Sequence, residues 1–468
     1  MTPDAFRREG HKLVDWIADY WASLEGRPVS GGTQPGDVLG ALPEGPPESP
    51  GGAGAWDAIV RDLDTIITPN LTHWQSPGFF AYFPCNGSGP GVLGELVSAG
   101  LGVNGMLWST SPAATELETR MLDWAADLHG LPASFKSTGE GGGVIQGTAS
   151  EAALCALVAA IKRSGRDPRA CAVVCSDQAH SSIAKAGMVA GVAEGPEDDR
   201  HIRLVRTDAS GAMDHEHLRE QMAERDGVRP VMVVATLGTT GTGAFDDLND
   251  VANAAGDVWV HVDAAWAGSA FVCPEFRGPM EGIGRADSVC LNPHKWGLVT
   301  FDCDLFWVRD RRALIDALSI TPEYLRNAAT DAGSVIDYRD WQVPLGRRMR
   351  ALKLWFVYRH YGAEGLRAHI REGVGLAEAF ESWVRGDDRF EIVAPRSLSL
   401  VCFALRAGDD ATERLVREVN GRGAIMVSHT RAGGRYVVRF AVGATLTRRR
   451  HVERAWAEIR AAADAVLG

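Results

Sequence analysis

Five short apolar runs constrain this chain more than any other feature in it. Ala172–Cys175, Ile202–Arg206, Val231–Ala235, Val258–Val262 and Ser288–Leu291 read as buried strands, with helical stretches between several of them. Strands of this kind, separated by helices, are the pattern of a mostly parallel α/β sheet. In such sheets ligands bind beyond the carboxyl ends of the strands. The residues at those ends are His180 after the first run, Thr239 and Thr240 after the third, Asp263 after the fourth and Lys295 after the fifth. Each has an ordinary reading of its own: a core histidine, turn threonines, a turn-capping acid, a lysine pointing at water. Their convergence on one sheet edge is harder to explain that way.

At 468 residues the chain is too long for one core, so two or three domains are expected. Its net charge of −12 argues against a nucleic-acid partner, which wants a basic patch. No apolar run is long enough to span a membrane, and the N-terminus MTPDAFRREGHKLVDW has no apolar core of a signal peptide. Eight scattered cysteines, several inside apolar runs, lack a zinc spacing and read as reduced thiols of a cytoplasmic protein.

Thr2-Pro3 is a helix start, and Phe6, Leu13, Ile17, Tyr20, Trp21 and Leu24 follow near helical spacing. Residues 30–54, rich in Gly and Pro, connect to a second amphipathic helix over 56–68. The stretch His73–Pro84 holds too many aromatics, broken by Gly and Pro, for one helix face. It reads as a core patch under a loop or as a wall for an aromatic ligand, with Trp74, Tyr82, Phe83 and Pro84 in it. Residues 112–130 form a helix from Pro112 to Gly130. Gly139–Ser150 reads as a Gly-rich turn running into an apolar helix, a place where free amides and a helix N-terminus can hold phosphate. It matches neither a Walker loop nor the dinucleotide fingerprint. Residues 321–340 read as a polar mobile loop, followed by a long helix near 344–360. Strands over Leu398–Phe403 and Tyr436–Phe440 and a closing helix over Thr447–Val466, capped by Thr447, make a smaller α+β domain.

In Asn292-Pro293-His294-Lys295-Trp296 the lysine sits just past a strand end, because the residue before a proline is pushed out of the helical region. A partly buried ammonium loses its charge more readily and becomes nucleophilic, as a Schiff-base lysine must be. Pyridoxal phosphate needs an amine for its aldehyde, a carboxylate for its ring nitrogen, a plane to stack on and an anion site. Lys295, Asp263, His180 and the Gly147–Ser150 turn supply these in that order.

Asn292–Trp296, His261-Val262-Asp263-Ala264-Ala265, Asp177–Ser182, Gly141–Gly147 and Phe79–Pro84 together resemble the group II pyridoxal-dependent decarboxylases. They are most similar to the aromatic-L-amino-acid type that acts on DOPA, tyrosine or tryptophan. The resemblance runs over essentially the whole chain, including Thr115–Glu118 and Leu345–Arg348. It implies a pyridoxal-phosphate enzyme of fold type I, like aspartate aminotransferase. The parts would be a mostly parallel seven-stranded sheet in a large cofactor domain (86–352), a smaller α+β domain (353–468) and a helical N-terminal segment (1–85) clasping a second subunit. It implies a homodimer with the active site at its interface. It implies that Lys295 holds the cofactor as a Schiff base, Asp263 pairs with the ring nitrogen and His180 stacks on the ring. Thr148, Ala149, Ser150, Thr240, Ala265, Asn292 and His294 would also surround the cofactor.

Trp266 and Cys85 stand where the family commonly has Tyr and its animal members Thr. Asn104 and Met106 stand where those members carry Ile and Phe near the substrate ring. The aromatic residues, with Ser399 as a partner for a phenolic hydroxyl, point to an aromatic substrate. Tyr324, at the start of the polar loop, would protonate the α-carbon after carbon dioxide leaves. In the family this position is Tyr in decarboxylases and Phe in relatives that react with oxygen. Amino transfer and oxidative conversion to an aldehyde are the alternative reactions on the same cofactor.

Overall fold

The computed structural model describes residues 1–49, 52, 54–85, 87–320 and 335–468. Tyr324 and the rest of 321–334 lie outside the described residues.

The large sheet has seven strands: β1 Gly142–Gln146, β2 Cys171–Ser176, β3 Ile202–Val205, β4 Arg229–Thr236, β5 Trp259–Asp263, β6 Ser288–Leu291 and β7 Asp304–Val308. Their order is β1-β7-β6-β5-β4-β2-β3. β7 runs antiparallel to both its neighbours, and the pairs from β6 through β3 are parallel. The carboxyl ends of the other six strands therefore share one edge, and β7 begins at that edge with Asp304. Helices cover the sheet. Ala149–Ser164 lies close because it presents Ala152, Ala153, Cys155, Ala156, Ala159 and Ala160 inward.

The Gly139–Ser150 segment is not the single turn expected. Gly142–Gln146 is a buried strand, and only Gly147 and Thr148 separate it from the helix. The glycines serve close packing there. A Cβ on Gly141 would lie 2.0 Å from the Ser134 carbonyl oxygen, and one on Gly143 would lie 2.6 Å from Trp307.

The small sheet is wholly antiparallel, in the order β10-β11-β9-β8, from β8 Phe390–Ser397, β9 Leu400–Leu405, β10 Ser428–Ala432 and β11 Arg435–Ala441. Phe380, Phe390, Phe403, Phe440 and Trp456 fill its core, with Phe380 and Phe440 stacked 3.8 Å apart. Phe380 comes from the helix Arg350–Arg385, which starts later and runs further than the 344–360 expected. Its helical backbone is interrupted at Gly362, at φ 61°.

Two other expectations shift. The closing helix is Arg449–Leu467, and Arg448 with His451 forms its cap; the Thr447 hydroxyl instead donates to the Pro77 carbonyl at 3.0 Å. The expected mobile loop over 321–340 ends in a buried 3-10 turn, Tyr338–Trp341, because Tyr338 and Trp341 are large apolar rings that pack into the main core. The aromatic stretch divides. Phe79 and Phe80 are core residues, and Phe80 joins the small sheet, stacking on Phe440 at 4.1 Å and receiving the Ala441 amide at 3.0 Å.

Candidate active site

β6 stops at Leu291, and Pro293 keeps Asn292 extended (φ −109°, ψ 95°). The short turn Pro293–Trp296 then presents Lys295 at the carboxyl edge, half-buried, its amide bonded to the Asn292 carbonyl at 2.9 Å. The ammonium is felt throughout the site. His294 is pushed down to about 4, first by burial and then by Lys295. His294 Nδ1 lies 2.8 Å from the Cys303 carbonyl and 2.9 Å from its amide, so this imidazole is a neutral structural group. His180 is lowered as well, by dehydration between the cleft walls and then by Lys295, with Asp263 opposing. The Ser182 amide donates to His180 Nδ1 at 3.1 Å, and the ring lies open to the cleft.

Asp263 is the buried last residue of β5, and its Oδ1 accepts the Ala265 amide at 3.0 Å. The Ala265 carbonyl takes the Asn292 amide at 3.0 Å, so one residue ties the carboxylate to the lysine turn. Thr240 is exposed at the edge, whereas Thr239 Oγ1 is used internally by the Ala244 amide at 3.0 Å.

Across the edge, the helix Ala149–Ser164 opens at Thr148, whose side chain makes no capping bond. The first-turn amides of Ala149 and Ser150 have no partner within the helix, and Ser150 is exposed. Asn292 is buried, yet its Oδ1 has no hydrogen-bond partner. A lysine amine, a buried carboxylate, an open imidazole face and a free helix N-terminus fit a planar aldehyde carrying a phosphate. Pyridoxal phosphate is such a group.

The wall beside the lysine is aromatic. Phe83 stacks on Trp266 at 4.2 Å, and Trp266 on Trp296 at 5.7 Å. Pro84 and Trp296 lie close over Gly443, where a Cβ would stand 3.4 and 3.6 Å from them. Trp74 and Tyr82 stack 5.5 Å apart and are exposed, Tyr82 with left-handed backbone at φ 52°. Ser399 is buried between β8 and β9, with its carbonyl taken by the Val442 amide at 2.9 Å. Asn104 and Met106 belong to another neighbourhood of the chain. Asn104 Oδ1 accepts the Arg347 amide at 2.9 Å, and the Met106 carbonyl accepts the Arg339 amide at 3.1 Å.

Arg439, which sequence reasoning passed over, is built into the aromatic wall. From β11 its guanidinium covers Phe83 at 4.9 Å and donates to Gly241 O (2.9 Å), Ser428 Oγ (2.8 Å) and Tyr82 O (3.4 Å). The available signal was an arginine inside the apolar run Tyr436–Phe440. Gln146 and Asp304, both fully buried at this edge, were missed too.

Residues 35–406 match the pyridoxal-dependent decarboxylase conserved domain. The chain is 46% identical to tyrosine decarboxylase 4 of Petroselinum crispum over 489 residues, covering 100% of this chain and 95% of that one. It is likewise 46% identical to phenylacetaldehyde synthase of Arabidopsis thaliana, covering 100% and 97%. The solved structure of Oryza sativa TDC with PLP and tryptamine superposes with a TM-score of 0.96 at 42% identity, over 100% of this chain and 99% of that one.

Proposed function

The chain belongs to the pyridoxal-dependent decarboxylase family, and on that premise we propose that it removes the α-carboxyl group of an aromatic L-amino acid, giving the amine and carbon dioxide. The observation that carries the reading is the meeting of Lys295, Asp263, His180 and the open helix N-terminus at one sheet edge beside stacked aromatic rings. When bound, pyridoxal phosphate supplies the sink for the electron pair left on the α-carbon.

The chain's own residues do the rest. Lys295 would hold the aldehyde end of the cofactor through its amine. Asp263 would pair with the ring nitrogen and favour its protonated form. His180 would cover one face of the ring. The amides of Ala149 and Ser150 and the hydroxyls of Thr148 and Ser150 would hold the phosphate end, with Asn292, Thr240, Ala265 and His294 shaping its surroundings. Phe83, Pro84, Trp74 and Tyr82 would receive the aromatic side chain, with Ser399 as a hydroxyl partner. Tyr324, outside the described residues, would deliver the proton to the α-carbon.

A homodimer completes the reading. Leu93, Leu96, Val97 and Leu101 on the helix Gly89–Leu101 are exposed apolar residues in the single chain, as are Phe6 and Val14 on the first helix. Asn104 and Met106 would serve the partner's site across that interface. No helix among the described residues is long and apolar enough to cross a membrane. All eight cysteines are unpaired, as suits the reducing cytoplasm we assign to it.

The test is a panel of Trp, Tyr, DOPA, Phe and Glu, with carbon dioxide and the second product measured together. Amine from aromatic substrates is expected. Turnover of Glu alone rejects the aromatic assignment. Aldehyde with ammonia and peroxide would favour the alternative that similarity to an aldehyde synthase keeps open.

A further inference from the structure

Asp304 opens β7 at the carboxyl edge, and its partner across the antiparallel ladder is Gln146, the last residue of β1. Residues paired this way put their side chains on one face, with Cβ atoms about 4.5–5.5 Å apart. Both are fully buried. Neither Asp304 oxygen has a hydrogen-bond partner, and neither has Gln146 Oε1. The Gln146 amide nitrogen is turned elsewhere, to the Trp341 carbonyl at 3.4 Å and Cys155 Sγ at 3.3 Å. With Asp304 ionised, three oxygens that only accept would share one dry corner. A proton on Asp304 supplies a donor to this corner.

We propose that Asp304 carries a proton at neutral pH, donates it to Gln146 Oε1, and so acts as a positioning residue for the 147–150 turn that leaves the end of β1. Most of the surroundings favour the proton. Burial first, then the Asp263 carboxylate on β5 and Glu151 on the helix after the turn, push Asp304 well above the usual carboxylate range; only the Lys295 ammonium opposes. The neighbouring thiols add no charge. Burial holds Cys155 and Cys303 at about 12 and pushes Cys290 up as well.

Infrared spectroscopy of the holoenzyme reads the proton directly. A band of a protonated carboxyl, sensitive to deuterium exchange, is expected at neutral pH and should be missing in Asp304→Asn. Stability gives a second reading. The folded acid keeps a proton that the unfolded chain releases above its ordinary 3.8. Wild type should therefore lose stability relative to Asp304→Asn as pH rises from about 4, with a widening gap in urea midpoint. An infrared spectrum unchanged by Asp304→Asn, or a gap flat with pH, overturns the proton.

The positioning role rests on the phosphate-turn reading above. The Asn side chain can donate in the proton's place, so Asp304→Asn should keep cofactor affinity within about threefold, whereas Asp304→Ala orphans Gln146 Oε1 and should weaken it about tenfold. Affinity is measured by dialysis of pyridoxal phosphate from the holoenzyme. Equal affinity of Asp304→Ala and wild type overturns the role. Should Asp304→Ala fail to fold, Gln146→Met removes the acceptor instead, and should shift the carboxyl band and loosen the cofactor. Lys295→Ala tests the underlying reading separately: it should abolish covalent cofactor absorbance and leave the carboxyl band in place.

Discussion

The two edges of the large sheet treat buried polar groups in opposite ways. At the amino edge, the buried Asp287 accepts from Arg163 at 2.8 Å, from Arg309 at 3.0 Å and from the Val260 amide at 2.9 Å. At the carboxyl edge, Asn292 Oδ1, Gln146 Oε1 and both Asp304 oxygens have no partner. An unpaired buried polar group costs about 1–3 kcal/mol. A fold that satisfies one edge and tolerates that cost at the other has kept the second edge for something that arrives, whether a cofactor or a proton. In this sheet, the fully paired Asp287 lies at the edge that serves stability, and the orphaned oxygens lie at the edge assigned to chemistry.

The largest effect expected at the carboxyl edge is that of Lys295→Ala. Without the amine, turnover should fall by roughly 10^4-fold or more, as for removal of a reacting group elsewhere, with the fold retained. Retention of even a tenth of wild-type amine production would move the chemistry away from this edge. Tyr324→Phe comes next. If the phenol delivers the α-carbon proton, amine production should drop by about 10^2–10^4-fold, while covalent cofactor absorbance stays. Oxygen uptake with aldehyde, ammonia and peroxide should replace it. A variant that makes amine at the parent rate removes Tyr324 from the reaction.

Much of this edge was legible in the sequence because strand ends declare themselves. Asp263 ends the buried β5 run Trp259–Val262, and Asn292-Pro293 announces the end of β6. Gln146 and Asp304 were not legible in that way. Their meeting depends on β7 running antiparallel between β1 and β6, an order that no local pattern fixes. β1 itself was hidden, since Gly143 within it and Gly141 just before it are there for close approach to Trp307 and Ser134 yet look like turn residues. Arg439 and Asp304 had one signal in common, a lone charge in an apolar strand. That signal identifies an anomaly without saying where the charge goes.

A pair of variants tests the contrast itself at a more modest scale. Asp287→Ala leaves the buried Val260 amide and two arginines without their acceptor. It should lower stability by roughly 2–3 kcal/mol, with kcat per folded molecule unchanged. Asn292→Ala removes an oxygen that had no partner, so the cofactor-free chain should lose little stability or gain some. Cofactor affinity should fall about tenfold. Urea titration and cofactor dialysis on both variants decide the matter, and the reverse pattern would break the distinction between the edges.

Arg439 falls between the two classes, which makes its smaller effect informative. Three of its contacts are satisfied donors that join β11 to the Gly241 loop, to Ser428 and to the Tyr82 carbonyl, while its Nη2 is buried without a partner. Its guanidinium also covers Phe83, the ring that stacks on Trp266 beside the lysine. A lysine at this position keeps the charge but not the planar fork or the stacking face. Arg439→Lys should therefore loosen the aromatic wall and leave the cofactor's surroundings alone. The expected loss is about 1–2 kcal/mol, read as a five- to thirtyfold fall in kcat/KM that comes mainly from KM. Absorbance of the bound cofactor should not move. A fall in urea midpoint with KM unchanged would put Arg439 with Asp287, as a stability residue. A rise in KM at constant midpoint would put it with the substrate.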